Sequence, residues 1–269
     1  MKILKNPEKI FWGTQKISKQ ELFQFYKKIG RKILPFLINR PLTIYRCPDG
    51  VEKECWVQKN APKNLPLKIK TAKLWAKSPE RYLKYPIITK LDDLLWFVNQ
   101  GAIEFHIWMS KIGQEKPDWI VFDIDRVKAT DKDLANICFK IQFELEKENL
   151  KSYVKTTGIS GFHLLSPNTK KFNYKQARDF AKKIICRIMK QNPELITLEK
   201  TKTKRKAKTF IDPAQNAKGR TIVAPYSVRA TKKFSVSLPI TWEDLKNFKY
   251  PKKSFKEYQK TIISQGKWF

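Results

Sequence analysis

Two segments of seven residues, 102–108 (AIEFHIW) and 119–125 (WIVFDID), have the hydrophobic pattern of β-strands. Successive side chains of a strand point to opposite faces, so Glu104 and His106 are predicted to share one face, with Phe105 on the other. Apolar residues at helical spacing predict four helices, which begin near Ser18, Thr89, Thr130 and Ala177. Ser18 with Glu21 has the spacing of a capping box, which fixes the start of the first helix.

Shorter strands are predicted at residues 43–47 and 54–58, 152–155 and 162–165, and 209–211 and 221–224. The turn sequence Pro48-Asp49-Gly50 joins the first pair into a hairpin. Helices and hairpins are interspersed without the regular alternation of a doubly wound fold, which favours an α+β fold with mixed or antiparallel sheets. The polar segment 60–85 is interrupted by prolines and is predicted to be an exposed basic loop or a solvated linker.

The strand at 119–125 ends in two aspartates, Asp123 and Asp125. Their carboxylates should project to the same side, while Phe122 and Ile124 point into the core. Neighbouring carboxylates repel each other unless a cation lies between them, and their hard oxygens suit Mg²⁺ or Mn²⁺. Asp212 follows another short apolar segment and is a third candidate ligand. Taken alone, such a pair is more often a solvated strand end or turn.

The charge of the chain changes this picture. It has 56 Lys+Arg against 25 Asp+Glu, a formal net charge of +31, spread along most of its length. Such a surface favours nucleic acid as the partner, although an acidic membrane surface or a basic proteome would also give a positive excess. Carboxylates are scarce in this chain, so a cluster of them on apolar strands favours a functional interpretation.

The chain has no apolar stretch of about eighteen residues, and its first residues lack the long apolar segment of a secretory signal. We therefore expect no membrane association and a cytoplasmic, nucleoid-associated protein. The four cysteines show no C-x-x-C spacing, which argues against a zinc site. Cys47 and Cys55 could face each other across the first hairpin, but two reduced, packed cysteines are the preferred interpretation.

Residues 155–163 (KTTGISGFH) lie between two predicted strands and suit a phosphate chain. Gly158 and Gly161 allow tight turns with exposed N–H groups, while Thr157, Ser160 and His163 add side-chain donors. The G-K-[ST] ending of a Walker loop is missing. In isolation, a hairpin turn with a core histidine is the favoured interpretation of this segment.

A further cluster occupies residues 210–229 (FIDPAQNAKGRTIVAPYSVR). It combines Asp212 with two side-chain amides and with Lys218, Arg220 and Arg229 around a predicted strand. The run KTKTKRKAK at 200–208 precedes it, and it is predicted to be a mobile loop that touches phosphates or is merely solvated.

The order of RCPDGV, WVQKN, GAIEFHIW, VFDID, KTTG-x-x-GFH and the long motif at 211–229 resembles the polymerase domain of ligase D. That domain belongs to the archaeo-eukaryotic primase superfamily and serves non-homologous end joining. The resemblance extends from about Lys9 to Trp242 and leaves no room for ligase or nuclease domains. It implies a single, stand-alone catalytic domain over residues 1–269. Residues 1–85 would mainly bind DNA ends, 86–245 would form the catalytic core, and 246–269 would be a C-terminal extension.

The resemblance also implies an activity. The chain would be a template-directed nucleotidyltransferase that fills gaps and extends ends during double-strand break repair. It would prefer ribonucleotides to deoxyribonucleotides and use two Mn²⁺ or Mg²⁺ ions, held by Asp123, Asp125 and Asp212. The residues that correspond to the family's nucleotide-binding positions are Thr157, Ser160, His163 and Arg229.

For DNA, the resemblance assigns Lys9 and Lys19 to the 5′-phosphate of a gapped or broken end, with Lys59 in the adjoining motif. Trp56 could stack on a template base, and Arg220 could contact the template or the same 5′ end. Residues 71–84 resemble a surface loop that pairs two ends, and residues 200–208 resemble a mobile loop near the active site. Expected partners are a Ku-like protein and a separate DNA ligase.

Three departures from many relatives stand out. Arg126-Val127 replaces Pro-Gly, Ser160 replaces a lysine, and the aromatic pair is reduced to Trp56-Val57. Two other functions stay open, a two-metal nuclease acting on DNA ends and a non-catalytic end-binding module. His106 either supports the aspartates, on whose sheet face it is expected, or is a structural histidine.

Overall fold

The structure of the chain is a computed structural model, which describes residues 4–250, 253–266 and 268. In chain order its strands are β1 (Ile10–Trp12), β2 (Ile17–Ser18), β3 (Leu42–Arg46), β4 (Trp56–Gln58), β5 (Thr71–Ala76), β6 (Arg81–Pro86), β7 (Ala102–Trp108), β8 (Trp119–Asp125), β9 (Tyr153–Thr156), β10 (Phe162–Pro167), β11 (Ile196–Thr197), β12 (Thr209–Ile211), β13 (Thr221–Val223), β14 (Val228–Arg229), β15 (Ser235–Val236) and β16 (Pro239–Ile240). The α-helices are α1 (Lys19–Leu37), α2 (Leu91–Asn99), α3 (Asp131–Lys147), α4 (Tyr174–Gln191), α5 (Trp242–Lys246) and α6 (Phe255–Ser264). This mixture confirms the predicted α+β class.

The chain forms two compact units. Of the described residues, the first unit comprises 4–112, 221–237 and 253–266, and the second comprises 113–220, 238–250 and 268. Within the parts that the structure describes, no helix is long and apolar enough to cross a membrane.

The first unit is built on a sheet of order β13-β7-β3-β4, in which every pair is antiparallel. The predicted hairpin is confirmed as β3 and β4. Helix α1 begins with the predicted capping box of Ser18 and Glu21, and it runs through Pro35 to Leu37. Its apolar stripe is fully buried: Leu22, Phe25, Tyr26, Ile29 and Ile33. The apolar residues of α1, which recur with the helical period of 3.6, therefore form one face that lies in the core.

Strands β5 and β6 form a hairpin where we predicted an exposed basic loop, so that prediction is wrong for residues 71–85. The physical reason is that apolar and polar side chains alternate along these strands. Leu83 and Tyr85 are buried in a small cluster with Trp108, while Lys73 and Lys84 face each other on the exposed side. The many lysines obscured this alternation in the sequence.

A disulfide joins Cys47 to Cys55, with the Cα atoms 4.4 Å apart. The preferred interpretation of two reduced cysteines is therefore wrong. The turn at Pro48-Asp49-Gly50 folds the chain back, and β3 and β4 then continue the hairpin beyond the bridge. The bridge closes the loop that contains Asp49.

The second unit is built on a sheet of order β11-β12-β8-β10-β9-β16. Only β11 and β12 are parallel among these described strands. Strand β8 is central, and Phe122 and Ile124 on it are fully buried. Because β7 belongs to the sheet of the first unit, the expectation that His106 shares a sheet face with Asp123 and Asp125 is wrong.

Candidate functional site

Asp123 and Asp125 are the last two polar positions of β8, as predicted. Asp123 is half-buried and Asp125 is exposed, whereas the alternate positions Phe122 and Ile124 have no exposed surface. The period of two therefore directs both carboxylates away from the core.

Strand β12 brings Asp212 beside them. In its antiparallel pairing with β8, Phe210 lies opposite Asp125 and Ile211 opposite Ile124. The next residue, Asp212, donates its backbone N–H to the carbonyl oxygen of Asp123 at 3.2 Å. Residues that face each other across antiparallel strands project to the same side, so the register places the three aspartates on one face.

Asn216 is a residue whose role the sequence did not reveal. Its side-chain amide accepts from the Val121 N–H at 2.8 Å and donates to the Val121 carbonyl at 2.7 Å. A buried side chain thus completes the hydrogen bonding of β8 where β12 has ended. This anchors the short 3₁₀ turn Pro213–Asn216, and with it the position of Asp212.

His163 lies between Asp123 and a fully buried lysine. On β10 it faces Asp123 of β8 on one side and Lys155 of β9 on the other. Its Nε2 is 3.0 Å from Oδ1 of Asp123, and its Nδ1 is 2.7 Å from Nζ of Lys155. An ammonium group only donates, so a charged Lys155 makes Nδ1 the acceptor and leaves the proton on Nε2, directed at Asp123. We predicted no role for Lys155 from the sequence.

The segment Thr157–Gly161 forms a tight loop between β9 and β10. The Thr157 hydroxyl accepts from the N–H groups of Ile159 and Gly161, at 3.3 and 3.1 Å. Gly158 has φ +78°, and a Cβ at Gly161 would collide with the carbonyl oxygen of Ile124. Gly158 and Gly161 therefore allow the tight turn that we predicted, and the loop packs directly against the end of β8. Ser160 is half-buried in it.

The carboxylates also have protein partners. Oδ1 of Asp212 accepts from the Ala214 N–H at 2.9 Å, and Asp123 is paired with His163. Among the residues that the structure describes, no three histidine, cysteine or acidic side chains already form a group that could hold a metal ion. A metal would therefore need these carboxylates to turn or to share their oxygens, of which each has two.

Arg229 lies in the first unit, where it contacts buried Glu104. Its Nε is 3.2 Å from Oε2 of Glu104, as an ion pair rather than an aligned hydrogen bond. The same Oε2 is 2.7 Å from Nε2 of His106, and Oε1 accepts from the Ala230 N–H at 2.8 Å. Burial alone would raise the pKa of Glu104, but the hydrogen bond from His106 and the charge of Arg229 outweigh it, so this pKa lies below its usual range. The sequence missed this role of Glu104.

The predicted 5′-phosphate lysines, Lys9 and Lys19, also lie in the first unit. Nζ of Lys9 is 2.6 Å from Oδ1 of Asp49, and Nζ of buried Lys19 donates to the Lys5 carbonyl at 2.7 Å. Burial and then the nearby charge of Lys9 lower the pKa of Lys19. A bound anion would offset the repulsion between the charges of Lys9 and Lys19.

The other predicted DNA contacts lie on exposed surfaces. Trp56 is 41% exposed, and the guanidinium carbon of Arg46 is 5.4 Å from its ring centroid. Lys59 reaches the Ser78 carbonyl at 3.4 Å, and Arg220 is exposed in the second unit. On the hairpin of β5 and β6, the exposed rings of Trp75 and Tyr82 pack edge to face, 5.3 Å between centroids.

A mixed α+β fold with three aspartates on one sheet face, next to a glycine-containing loop, is an arrangement suited to a nucleotidyltransferase. The profile of the family described as LigD, primase-polymerase domain matches residues 18–269. The chain belongs to this family of nucleotidyltransferases, which confirms the resemblance.

Relatives and a solved structure agree with this assignment. The chain is 30% identical over 246 residues to the multifunctional non-homologous end joining protein LigD of Mycolicibacterium smegmatis, covering 90% of this chain and 32% of that protein. It is 30% identical over 242 residues to the bifunctional LigD of Bacillus subtilis, covering 89% and 39%. The chain thus spans about a third of the length of these curated relatives. It also superimposes on the polymerase domain of Mycobacterium tuberculosis ligase D in complex with DNA, with a TM-score of 0.90, 26% identity and coverage of 97% and 94%.

Proposed function

We propose that the chain is a template-directed polymerase that fills gaps and extends DNA ends in double-strand break repair by non-homologous end joining, with a preference for ribonucleotides. The observation that carries the proposal is the register of β12 on β8, which sets Asp212 beside Asp123. Three carboxylates that are distant in sequence then share one face. Family membership supports the polymerase class, and the names of the relatives support the repair pathway.

Asp123, Asp125 and Asp212 would hold two Mn²⁺ or Mg²⁺ ions. Their hard oxygens and shared face fit such ions, provided that Asp212 and Asp123 release or share the oxygens now used by Ala214 and His163. When bound, the ions would supply Lewis-acid stabilisation of the triphosphate and activation of the primer 3′-hydroxyl.

The residues proposed to bind the nucleotide are Thr157, Ser160, His163 and Arg229. In the second unit, the uncharged loop Thr157–Gly161 would contact the nucleotide, with Ser160 at its edge and with His163 held at Nδ1 by Lys155. Arg229 would contact a phosphate, as its counterpart in the family does, and Glu104 would keep its guanidinium oriented. The contacts of His163 with Lys155 and of Arg229 with Glu104 would lower the entropic cost of ordering these side chains when the nucleotide binds.

DNA binding rests on charge and on the similar structure. The chain carries +31, and the M. tuberculosis domain is described in complex with DNA. Lys9 and Lys19 would bind a 5′-phosphate as point charges, with Lys59 nearby in sequence and Arg220 on the second unit. Trp56 would stack on a base, while Trp75 and Tyr82 on the exposed hairpin would help to pair two ends. A Ku-like protein and a separate ligase would complete the repair.

The experiment is primer extension on a labelled gapped duplex with a 5′-phosphate, in Mn²⁺, with NTPs or dNTPs. We expect extension, faster with NTPs, that Asp123→Ala, Asp125→Ala and Asp212→Asn abolish while DNA binding is retained. Asp244→Asn, which changes an exposed carboxylate of the second unit, is the matched control and should leave extension unchanged. Shortened primers would indicate a two-metal nuclease. Binding with neither reaction would indicate a non-catalytic end-binding module.

A further inference from the structure

Arg126, the residue directly after Asp125, reaches across to the loop Thr157–Gly161. Its Nε donates to the Ser160 carbonyl at 2.9 Å, and its Nη1 donates to the Ala129 carbonyl at 3.2 Å. Its Nη2 forms an ion pair with Asp131, the first residue of α3. The planar, always charged guanidinium can make all three contacts at once, which a lysine could not.

Tyr250 holds the other side of the same loop. Its hydroxyl donates to the Gly161 carbonyl and is 3.4 Å from the Thr157 hydroxyl, while its backbone N–H donates to Oδ2 of Asp131 at 2.9 Å. Its ring is packed on Phe162 and Phe248, with centroids 5.7 and 5.5 Å apart. These ring contacts fix where the hydroxyl points.

The two side chains form a closed set of contacts. The Arg126 guanidinium carbon is 5.4 Å from the centroid of the Tyr250 ring, and Asp131 accepts from both residues. Burial would raise the pKa of Asp131, but the hydrogen bonds from Arg126 and Tyr250 lower it below its usual range. Asp131 therefore stays ionised and keeps both partners in place.

The loop that they hold has little freedom elsewhere. Gly161 lies against the carbonyl oxygen of Ile124, and Thr157 already accepts the N–H groups of Ile159 and Gly161. Residues 157–161 contain no charged side chain. Arg126 is thus a cation that is hydrogen-bonded to the backbone of the loop Thr157–Gly161, next to the end of β8 that carries Asp123 and Asp125.

We propose that Arg126 and Tyr250 are positioning residues that set the conformation of the loop Thr157–Gly161, and that Arg126 gives this loop the positive charge that it lacks. The inference rests on the proposed function, in which the loop receives the nucleotide triphosphate. A purely structural role, fixing the start of α3, would affect stability without a specific effect on the nucleotide.

The first test compares Arg126→Gln and Tyr250→Phe with the control Arg178→Gln, which alters a surface arginine of α4 in the same unit. In primer extension we expect each test variant to raise the KM for NTP about tenfold, the factor that corresponds to 1.4 kcal/mol, with a smaller effect on kcat. In hydrogen exchange, the amides of Ile159 and Gly161 should exchange faster in both. Unchanged KM and unchanged exchange in the two variants would overturn the proposal.

Arg126→Lys separates charge from position. It retains the positive charge and loses the planar set of donors, so KM should recover in part while exchange stays fast. Equal KM for Arg126→Lys and Arg126→Gln would overturn the role of the charge. Should Arg126→Gln not fold, Tyr250→Phe removes one hydroxyl only and tests the loop contact by itself. If the wild type added no nucleotide, the proposed function would fail, whereas exchange in the loop would still test the positioning role.

Discussion

His163 lies 3.0 Å from Asp123, measured from Nε2 to Oδ1, and is held from behind by the buried Lys155 at 2.7 Å. Three neighbouring strands contribute one residue each to this row. The backbone register therefore orients the imidazole before any ligand is bound, and the imidazole in turn orients the carboxylate.

We expect His163→Ala to lower kcat/KM for nucleotide addition by about 10- to 100-fold, because it releases Asp123 and removes an oriented donor. Lys155→Met should have a similar but smaller effect through the loss of the Nδ1 contact. Steady-state primer extension measures both, with exposed Lys151→Ala as the control. Wild-type rates in His163→Ala would show that this row has no catalytic importance.

Gly161→Ala tests the close packing of the loop on β8. The added Cβ would collide with the Ile124 carbonyl oxygen, so the loop or the strand end must shift. We expect a loss of about 1–3 kcal/mol in the free energy of unfolding. Gly266→Ala, where a Cβ meets nothing within 4 Å, should change little. Urea unfolding of the two variants provides the comparison, and equal midpoints would contradict the packing argument.

Glu104 should make stability depend on pH. Its pKa is lower in the folded state, so its contribution is present above the ordinary carboxyl value of about 4.3 and is lost as pH falls below it. We expect Glu104→Gln to cost about 1–3 kcal/mol at pH 7, where Arg229 and His106 lose their charged partner. Thermal unfolding from pH 7 to pH 3 should show this difference shrinking. If the stability difference between the wild type and Glu104→Gln stayed constant over that pH range, the ionised carboxylate would not be its source. The control is Glu115→Gln, which changes an exposed glutamate.

Lys19 should bind the 5′-phosphate in a pH-dependent way. Because its pKa is lowered, it loses its proton at a lower pH than an ordinary lysine, whose pKa is about 10.4. We expect the preference for 5′-phosphorylated gaps to weaken as pH rises towards that value, and Lys19→Ala to abolish the preference at pH 7.5. Fluorescence anisotropy with phosphorylated and unphosphorylated gaps measures it. Lys27→Ala, an exposed lysine of the same helix, should keep the preference. If Lys27→Ala lost the preference for phosphorylated gaps as well, the preference would come from the overall positive charge rather than from Lys19.

The sequence predicted the elements with strong periodicity and the residues at their ends. The capping box at Ser18, the helix start at Thr130 and the alternation in WIVFDID depend on local chemistry, so they could be deduced from neighbouring residues. The hairpin of β5 and β6 was missed because its few apolar residues are buried by a distant partner, Trp108. The disulfide also depends on how closely the hairpin strands approach.

The features of the site that could not be predicted from the sequence are contacts between distant segments of the chain. Nothing in the sequence near Asn216 indicates that its amide completes β8, nor that Tyr250 reaches the loop at Gly161, 89 residues earlier. Glu104 was placed on the correct strand, but its pairing with Arg229 links residues 125 positions apart. Such pairings follow from the topology of the sheets rather than from any local pattern.

Strand β12 is only three residues long, and it determines which way Asp212 faces. Side chains alternate along a strand, so a shift of one position against β8 would turn this carboxylate to the opposite side of the sheet. Deleting or inserting a single residue between Lys208 and Asp212 is therefore a more drastic change than most substitutions in the core. Evolution of this segment is expected to tolerate changes in side chains far more readily than changes in length.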